Sequence, residues 1–444
     1  MAFLTDQQTI DDLAIFGRSG GDSVYGIFNR TLTRQGAALL EDMFRHPLSD
    51  VRSIHQRISL FQYFLSVGTV FPFRSELFDI AESYLAVTDE RTRRSTEQQR
   101  LGNRIAGLIA EDNEYRNIYK GITALMEIVR ELYGFLAKLP PGPFQEETAA
   151  IGTLLAEEEL QPLLTEGLKA KLPFARIAVY DNALRFRHRS SVHRLLQYVY
   201  RLDVYMAVGK VAAERGFVFP LALAAEAHTV RLEGVYHPLL KNAVPNTLDI
   251  TPENNVLFLT GANMAGKSTF MKTLGIALYL AHMGFPVPAR RMEFSILDGI
   301  YTTINLPDNL GMGASHFYAE VLRIKKIALE LSRSRNLFVL FDELFRGTNV
   351  KDAYEGTVAI TKAFAGRSNS IFVISTHIIE AGAVLRESSP AVRFLYLPTR
   401  MERHTPVYTY TLETGITDDR HGMVIIHNEG ILDILKNGNK TPVP

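Results

Sequence analysis

Leu257-Phe-Leu-Thr-Gly261-Ala262-Asn263-Met264-Ala265-Gly266-Lys267-Ser268-Thr269 reads as a buried strand, a glycine-bounded loop and the first turn of a helix. Gly261, Gly266, Lys267 and Ser268 fit G-x-x-x-x-G-K-[ST], the pattern of loops that wrap a polyphosphate. Glycine lets the backbone turn closely, so that successive N–H groups point inward as donors. A helix starting at Lys267 adds the positive end of its dipole. In such a loop Lys267 reaches the β- and γ-phosphates and the Ser268 hydroxyl holds Mg²⁺. A short motif can also arise by chance in a glycine-containing turn. The flanks argue against that here: Val256 to Thr260 is an apolar run of strand length, and Phe270 to Met283 has a helical apolar pattern.

Outward from this stretch, strand-like runs (Val256 to Thr260, Leu337 to Phe341, Ile371 to Ser375, Arg393 to Leu397) alternate with helical segments from about Leu232 onward. That alternation predicts an α/β domain with a mostly parallel sheet, and Val407 to Leu412 reads as an added strand. Residues 1–225 read instead as helices. One follows Thr31-Leu-Thr-Arg-Gln-Gly36 and stops at His46-Pro47, and Asp50 is a candidate N-cap for the next. A long helix covers about Ile105 to Leu136, and another runs on from Ser191 to end before Gly216 and Pro220.

Two further strand ends carry candidate chemistry. Asp342, closing Leu337 to Phe341, is placed to hold Mg²⁺, and Glu343 to activate an attacking water as general base. His377, after Ile371 to Ser375, sits where open parallel sheets put their ligands and reads as a γ-phosphate sensor. Asp308-Asn-Leu-Gly311-Met-Gly313-Ala-Ser315 is a second glycine-rich loop, with Phe317, Val321, Ile324, Ala328 and Leu331 on one face of the following helix. Ser315 is either a plain cap or an anion-binding end that serves the nucleotide of another subunit.

Lys+Arg and Asp+Glu both number 48, so no bulk field draws the molecule onto nucleic acid and any DNA contact must come from a local patch. The most basic stretch, Leu184-Arg-Phe-Arg-His-Arg-Ser-Ser-Val-His-Arg194, reads as such a patch or, more simply, as a solvated helix face. The absence of cysteine excludes disulfides, thiolate zinc sites and thiol catalysis. The N-terminus is too acidic for a signal peptide, and no run approaches the ~20 apolar residues of a membrane span. These features point to a cytoplasmic protein without a membrane partner.

Together the motifs resemble the MutS family of DNA mismatch-repair ATPases, relatives of the ABC ATPases. Thr260 to Thr269 is similar to the family's TGPNMGGKST, including the Asn263-Met264 pair that generic phosphate loops lack. Phe341-Asp342-Glu343-Leu344-Phe345-Arg346-Gly347-Thr348 resembles LDEIGRGT, and Ser375-Thr376-His377 resembles (A/S)TH. Gly234-Val-Tyr-His237-Pro238-Leu239 and Phe285-Pro-Val-Pro288-Ala289 match the family's RHP and FVPA elements. Upstream, Gln8 to Phe16 and Thr33 to Arg57 look like the start of its helical core, and Ser191 to Pro220 like the lever that returns to the ATPase.

The resemblance implies an all-helical core and lever domain over residues 1–225, then an ABC-like P-loop α/β ATPase domain over residues 226–444. It implies ATP and Mg²⁺, with the nucleotide held by Gly261, Ala262, Asn263, Met264, Ala265, Gly266, Lys267, Ser268 and Thr269. It further implies a homodimer with two composite sites, in which Ser315 acts in trans, and DNA and repair proteins as partners.

The departures are equally specific. The chain starts at the core, so the mismatch-reading and connector domains are expected to be absent. Leu136 to Arg185 is too short for a full DNA clamp, and the C-terminal oligomerisation tail is likewise expected to be absent. Asp419-Arg420-His421-Gly422 replaces the usual Ser-Tyr-Gly. Where relatives stack an aromatic on adenine this chain has Ala243, leaving Tyr236 or His237 as substitutes. The expectation is an ATP-gated machine for mismatched, branched or damaged DNA. The alternative is an ATP-switched protein scaffold that touches no DNA. A transporter subunit fits poorly, given the helical N-terminal half and the lack of an LSGGQ-type loop.

Overall fold

The computed structural model describes residues 2–17, 22–89, 108–166, 172–304, 316–345, 347–402, 405–417 and 430–437. The chain forms two compact units. One comprises Asn29–Asp42 and Ser59–Ala213, the other Met1–Phe28, Met43–Ile58 and Glu214–Pro444.

The helices of the N-terminal half are α1 (Gln7–Asp12), α2 (Val24–Phe28), α3 (Arg34–Arg45), α4 (Val51–Val67) and α5 (Ser75–Ala86). They continue with α6 (Leu108–Leu136), α7 (Gln145–Leu155), α8 (Pro162–Thr165), α9 (Phe174–Asp181), a π-helical turn at Asn182–Arg187, and α10 (Arg189–Arg215). Asp50 caps α4 as expected, accepting the Ser53 N–H at 2.8 Å. The start of α3 is held from afar: buried Asp203 of α10 accepts the Thr33 N–H at 2.8 Å and its hydroxyl at 2.7 Å. In the same helical unit Phe64, Phe144 and Tyr205 pack ring against ring.

The C-terminal half contains β1 (Leu221–Leu223), β2 (Val230–Val235), β3 (Asn246–Ile250), β4 (Val256–Gly261), α11 (Lys267–His282), β5 (Arg291–Ser295) and β6 (Gly299–Thr303). After these come α12 (His316–Ser332), β7 (Leu337–Phe341), α13 (Val350–Ala365), β8 (Ile371–Ser375), α14 (Ile379–Ser388) and β9 (Val392–Leu397). β10 (Thr399–Glu402), β11 (Thr405–Tyr408), β12 (Glu413–Thr414) and α15 (Ile431–Asn437) complete the order. One sheet has the order β12-β9-β4-β8-β7-β6, parallel except for the antiparallel edge β12. β7 and β8 are buried along their whole length, as continuous apolar runs in a parallel sheet should be. β1-β5-β2-β3 form a second, mixed sheet, and β10-β11 a hairpin.

The four apolar runs read from sequence are therefore β4, β7, β8 and β9. The added strand is shorter and earlier than expected: β11 ends at Tyr408, and residues 409–412 lie outside any strand. On α12 the expected core position Ala328 faces outward, and its neighbour Ile327 is fully buried instead. Ser315 and its glycine-rich loop, Arg346 and Asp419 to Gly422 lie outside the described residues.

Compactness also departs from a single cut at residue 225. Leu4 bridges Gly299 at the β6 edge, Tyr279 donates to the Phe44 carbonyl, and Arg57 donates to the Met283 carbonyl at 2.9 Å. His282 is wholly buried, its Nδ1 2.9 Å from the Leu48 carbonyl and its Nε2 accepting the Leu297 N–H at 3.3 Å. Two N-terminal segments thus belong to the same compact unit as the sheets. Local periodicity carries no trace of such pairings.

Candidate functional site

Aligned register brings the C-terminal ends of β4, β6, β7 and β8 together, with Leu259 opposite Ser375, Phe341 opposite Ile374 and Thr303 opposite Phe341. Parallel sheets bind ligands at that end. Between β4 and α11 the loop uses positive φ at Gly261 (152°), Met264 (67°) and Gly266 (100°). A Cβ on Gly261 would come within 3.2 Å of the Leu397 carbonyl oxygen, and one on Gly266 within 3.0 Å of the Tyr410 ring. Both glycines are required by conformation and by space. Met264 adopts the left-handed conformation without that freedom, and its side chain is exposed.

Lys267 is buried and donates to the carbonyls of Gly261 (2.8 Å) and Ala262 (3.1 Å). Burial pushes its pKa down, and the charges of Asp342 and Glu343 oppose that shift. Both acidic residues are tied to the end of β8 and the residues just after it. The Ser375 hydroxyl donates to Asp342, and the Glu343 N–H donates back to that hydroxyl at 3.0 Å. Glu343 has φ 56°, and its Oε1 lies 2.8 Å from His377 Nε2. Ser375, which is not among the residues the motifs mark as a candidate site, thus links Asp342 to the backbone of Glu343. Its signal was a polar residue closing an apolar strand.

A cavity of about 540 Å³ opens along this loop. Ala262, Asn263, Met264, Ala265, Gly266, Lys267, Ser268 and Thr269 line it, and Glu343 stands on its wall. Gly261, Asp342 and His377 are not in the lining; the latter two reach it through Glu343 and Ser375. His237, Leu240, Ala243, Val244, Asn246 and Tyr410 also line it, with the Tyr410 ring beside Gly266. Burial and the charge of Lys272 push the His237 pKa down to about 4, so its imidazole is neutral at physiological pH. Tyr236 is not in the lining: it packs against Phe217 and donates to the Arg215 carbonyl at 3.4 Å.

Tyr410 is the aromatic wall that sequence reading missed. It follows β11 with φ 55°, an unusual conformation for a bulky residue. Asn246 holds it there, donating to the Tyr410 carbonyl at 3.0 Å and accepting the Leu412 N–H at 2.7 Å. Only the alternation Tyr408-Thr409-Tyr410 hinted at it, and that pattern also suits an ordinary strand.

Half of the basic residues in this stretch of the helical unit, Arg185, Arg187 and His188, are paired with the chain's own acids. Arg185 is buried against Asp181, at 2.5 Å, and Tyr84 shares that carboxylate at 2.9 Å. Arg187 pairs with Glu159 at 2.9 Å, and His188 lies between Glu157 (2.9 Å) and Glu159 (2.5 Å). The acidic run Glu157 to Glu159 therefore answers it directly. His193 and Arg194 are exposed.

Among the described residues no helix is long and apolar enough to cross a membrane. The chain matches the family model for MutS domain III over residues 8–334 and that for MutS domain V over residues 257–440. Several curated proteins, each named DNA mismatch repair protein MutS, are similar to it. The one from Fusobacterium nucleatum is 26% identical over 57% of this chain and 28% of its own length. That from Halalkalibacterium halodurans is 28% identical over 59% of this chain and 31% of its own length. That from Petrotoga mobilis is 25% identical over 73% of this chain and 43% of its own length. The matched segments thus span less than half of each of these relatives.

Proposed function

The chain belongs to the MutS family, and on that premise we propose that it binds and hydrolyses Mg²⁺·ATP and couples this to DNA binding as a homodimer. The observation that carries the reading is one cavity lined by a buried lysine, a glycine-bounded loop and Glu343, with Asp342 tied to the Glu343 backbone through the Ser375 hydroxyl.

Lys267 can exchange the two carbonyls it now satisfies for phosphate oxygens, with little change in its position. Ser268 and Asp342 form an all-oxygen donor pair, which suits a hard cation that keeps most of its ligands as water and phosphate. Mg²⁺ held there would neutralise charge on the phosphates. Glu343, at the cavity wall, accepts the proton of the attacking water, and His377, the proposed γ-phosphate sensor, orients its carboxylate. His237 and Tyr410 offer a neutral imidazole and an aromatic face to the base, the part that Ala243 cannot play. Ser315 is assigned to the partner's nucleotide across the dimer, and repair proteins remain candidate partners of the assembly.

A second reading is favoured by one observation. With Arg185, Arg187 and His188 paired to acids, the clearest candidate for phosphate contacts is weakened, which suits an ATP-switched protein scaffold. Binding of labelled homoduplex, mismatched and branched DNA, with and without ATP at two salt concentrations, separates the two. The DNA machine predicts nucleotide-dependent binding that weakens steeply with salt. No binding to any of these DNAs selects the scaffold.

A further inference from the structure

β6 is the edge of the six-stranded sheet, paired on one side with β7. Its last residue, Thr303, accepts the backbone N–H of Asp342 at 2.9 Å. The peptide that aims the candidate metal carboxylate is thus anchored on a strand end that the sheet alone holds from one side. An edge strand frays at its ends unless something else secures it.

The N-terminal segment supplies that security. Asp12, buried, accepts the Thr302 hydroxyl at 2.7 Å and the Ile304 N–H at 2.9 Å. Thr9 accepts the Thr302 N–H at 3.1 Å. From the other direction Arg323 of α12 donates to the Thr302 carbonyl at 2.8 Å and reaches the Thr303 hydroxyl at 3.4 Å. Arg323 is itself fixed by Asp6, through both ends of its guanidinium, and Lys326 adds a second cation to the same carboxylate at 2.6 Å. Burial raises the Asp6 carboxyl, but the hydrogen bonds of Arg323 and Lys326 outweigh it and hold the group well below the usual carboxylate range.

We infer that Asp6 and Arg323 are positioning residues for Asp342, acting through the end of β6. The inference rests on the nucleotide reading of the site and deepens it. The pair touches neither the cavity nor the reacting atoms. Its effect is geometric: a guanidinium locked by Asp6 pins the Thr302 carbonyl, and the carbonyl of the next residue, Thr303, locates the Asp342 N–H. Misplacement of such a group by about 1 Å is enough to cost on the order of 10²-fold in rate.

The test is steady-state ATP turnover against Mg²⁺ concentration in the full chain, with Asp6→Asn, Asp6→Glu and Arg323→Lys, and ATP binding measured without Mg²⁺. The expected result for Asp6→Asn and Arg323→Lys is a turnover about 10-fold lower and a several-fold higher Mg²⁺ requirement. ATP affinity without Mg²⁺ should stay within about twofold, and Asp6→Glu should recover most of the turnover. A folded Asp6→Asn chain with the original turnover and Mg²⁺ requirement overturns the inference. So does lower turnover with no change in Mg²⁺ requirement, the mark of a merely structural pair. If the unsubstituted chain neither binds nor hydrolyses ATP, the nucleotide reading falls and takes this one with it. That outcome is distinct from an active chain that ignores Asp6.

Discussion

Around Lys267 and around Arg187 the chain concentrates the same kinds of side chain, cations beside carboxylates, but the carboxylates do different work. Glu157 and Glu159 close directly on Arg187 and His188, in exposed or half-exposed pairs. Asp342 and Glu343 are instead turned onto Ser375 and His377, while Lys267 satisfies itself on the carbonyls of its own loop. The first arrangement consumes its charge. The second keeps cation and anion apart across a cavity, each held by neutral or weakly basic partners that a polyphosphate and a metal can replace. A cluster of charge in a sequence therefore says little about binding until its partners are known.

Lys267→Ala attacks the second arrangement where it is most exposed to failure. It removes the one buried cation of the loop, and ATP affinity should fall by about 10²-fold or more. Calorimetric titration with ATP is the check, and unchanged binding would break the contrast between the regions.

Burial of histidine in the sheet-bearing unit gives the next effect. His282 and His237 both have pKa values pushed down to about 4, in each case first by burial. The unfolded chain protonates them near pH 6.5, so between that value and about 4 it binds more protons than the folded chain. Their contribution to stability is whole above pH 6.5 and is lost as pH falls toward 4, by roughly 3 kcal/mol for the fully buried His282 and less for the partly exposed His237. Urea unfolding at pH 7 and pH 4.5 measures it, and His282→Gln should flatten the dependence. A flat profile in the unsubstituted chain would contradict these burial assignments.

Tyr410→Ala should weaken ATP by about 10-fold, as loss of a stacked aromatic does, and leave binding of inorganic triphosphate unchanged. Equal losses for both ligands would place the ring against the phosphates rather than the base. The smallest effect belongs to the basic stretch. Replacing both Glu157 and Glu159 with Gln releases Arg187 and His188, and duplex DNA affinity at low salt should rise only several-fold, with a steeper salt slope. A loss of DNA affinity in that variant would mean that the paired geometry itself is what binds.

The site was legible where its residues follow one another in the chain. The loop from Gly261 to Thr269 and the strand ending at Asp342 and Glu343 carry strand, turn and helix signals in order, and the structure places them at one sheet end. Pairings across the chain were not legible. Ser375 between the Asp342 carboxylate and the Glu343 N–H, Asn246 under Tyr410, and Asp6 on Arg323 join residues whose local patterns are unremarked on either side. The same limit explains the compact units: Asp12 on Thr302 and His282 on Leu48 are tertiary hydrogen bonds that no window of sequence contains. Ile327 replacing Ala328 on α12 is a smaller case: Ile324 and Leu331 stay buried as expected, and at the one i+3 or i+4 choice between them the larger side chain takes the core position.

The most direct test of the account is Mg²⁺-dependent phosphate release from ATP by the purified chain, beside Glu343→Gln. The account predicts steady turnover in the unsubstituted chain. In Glu343→Gln, ATP should stay bound, turnover should be slower by about 10²–10⁴-fold, and a dimer should be enriched on a sizing column. Equal turnover in the two chains, or no ATP bound by either, would contradict it.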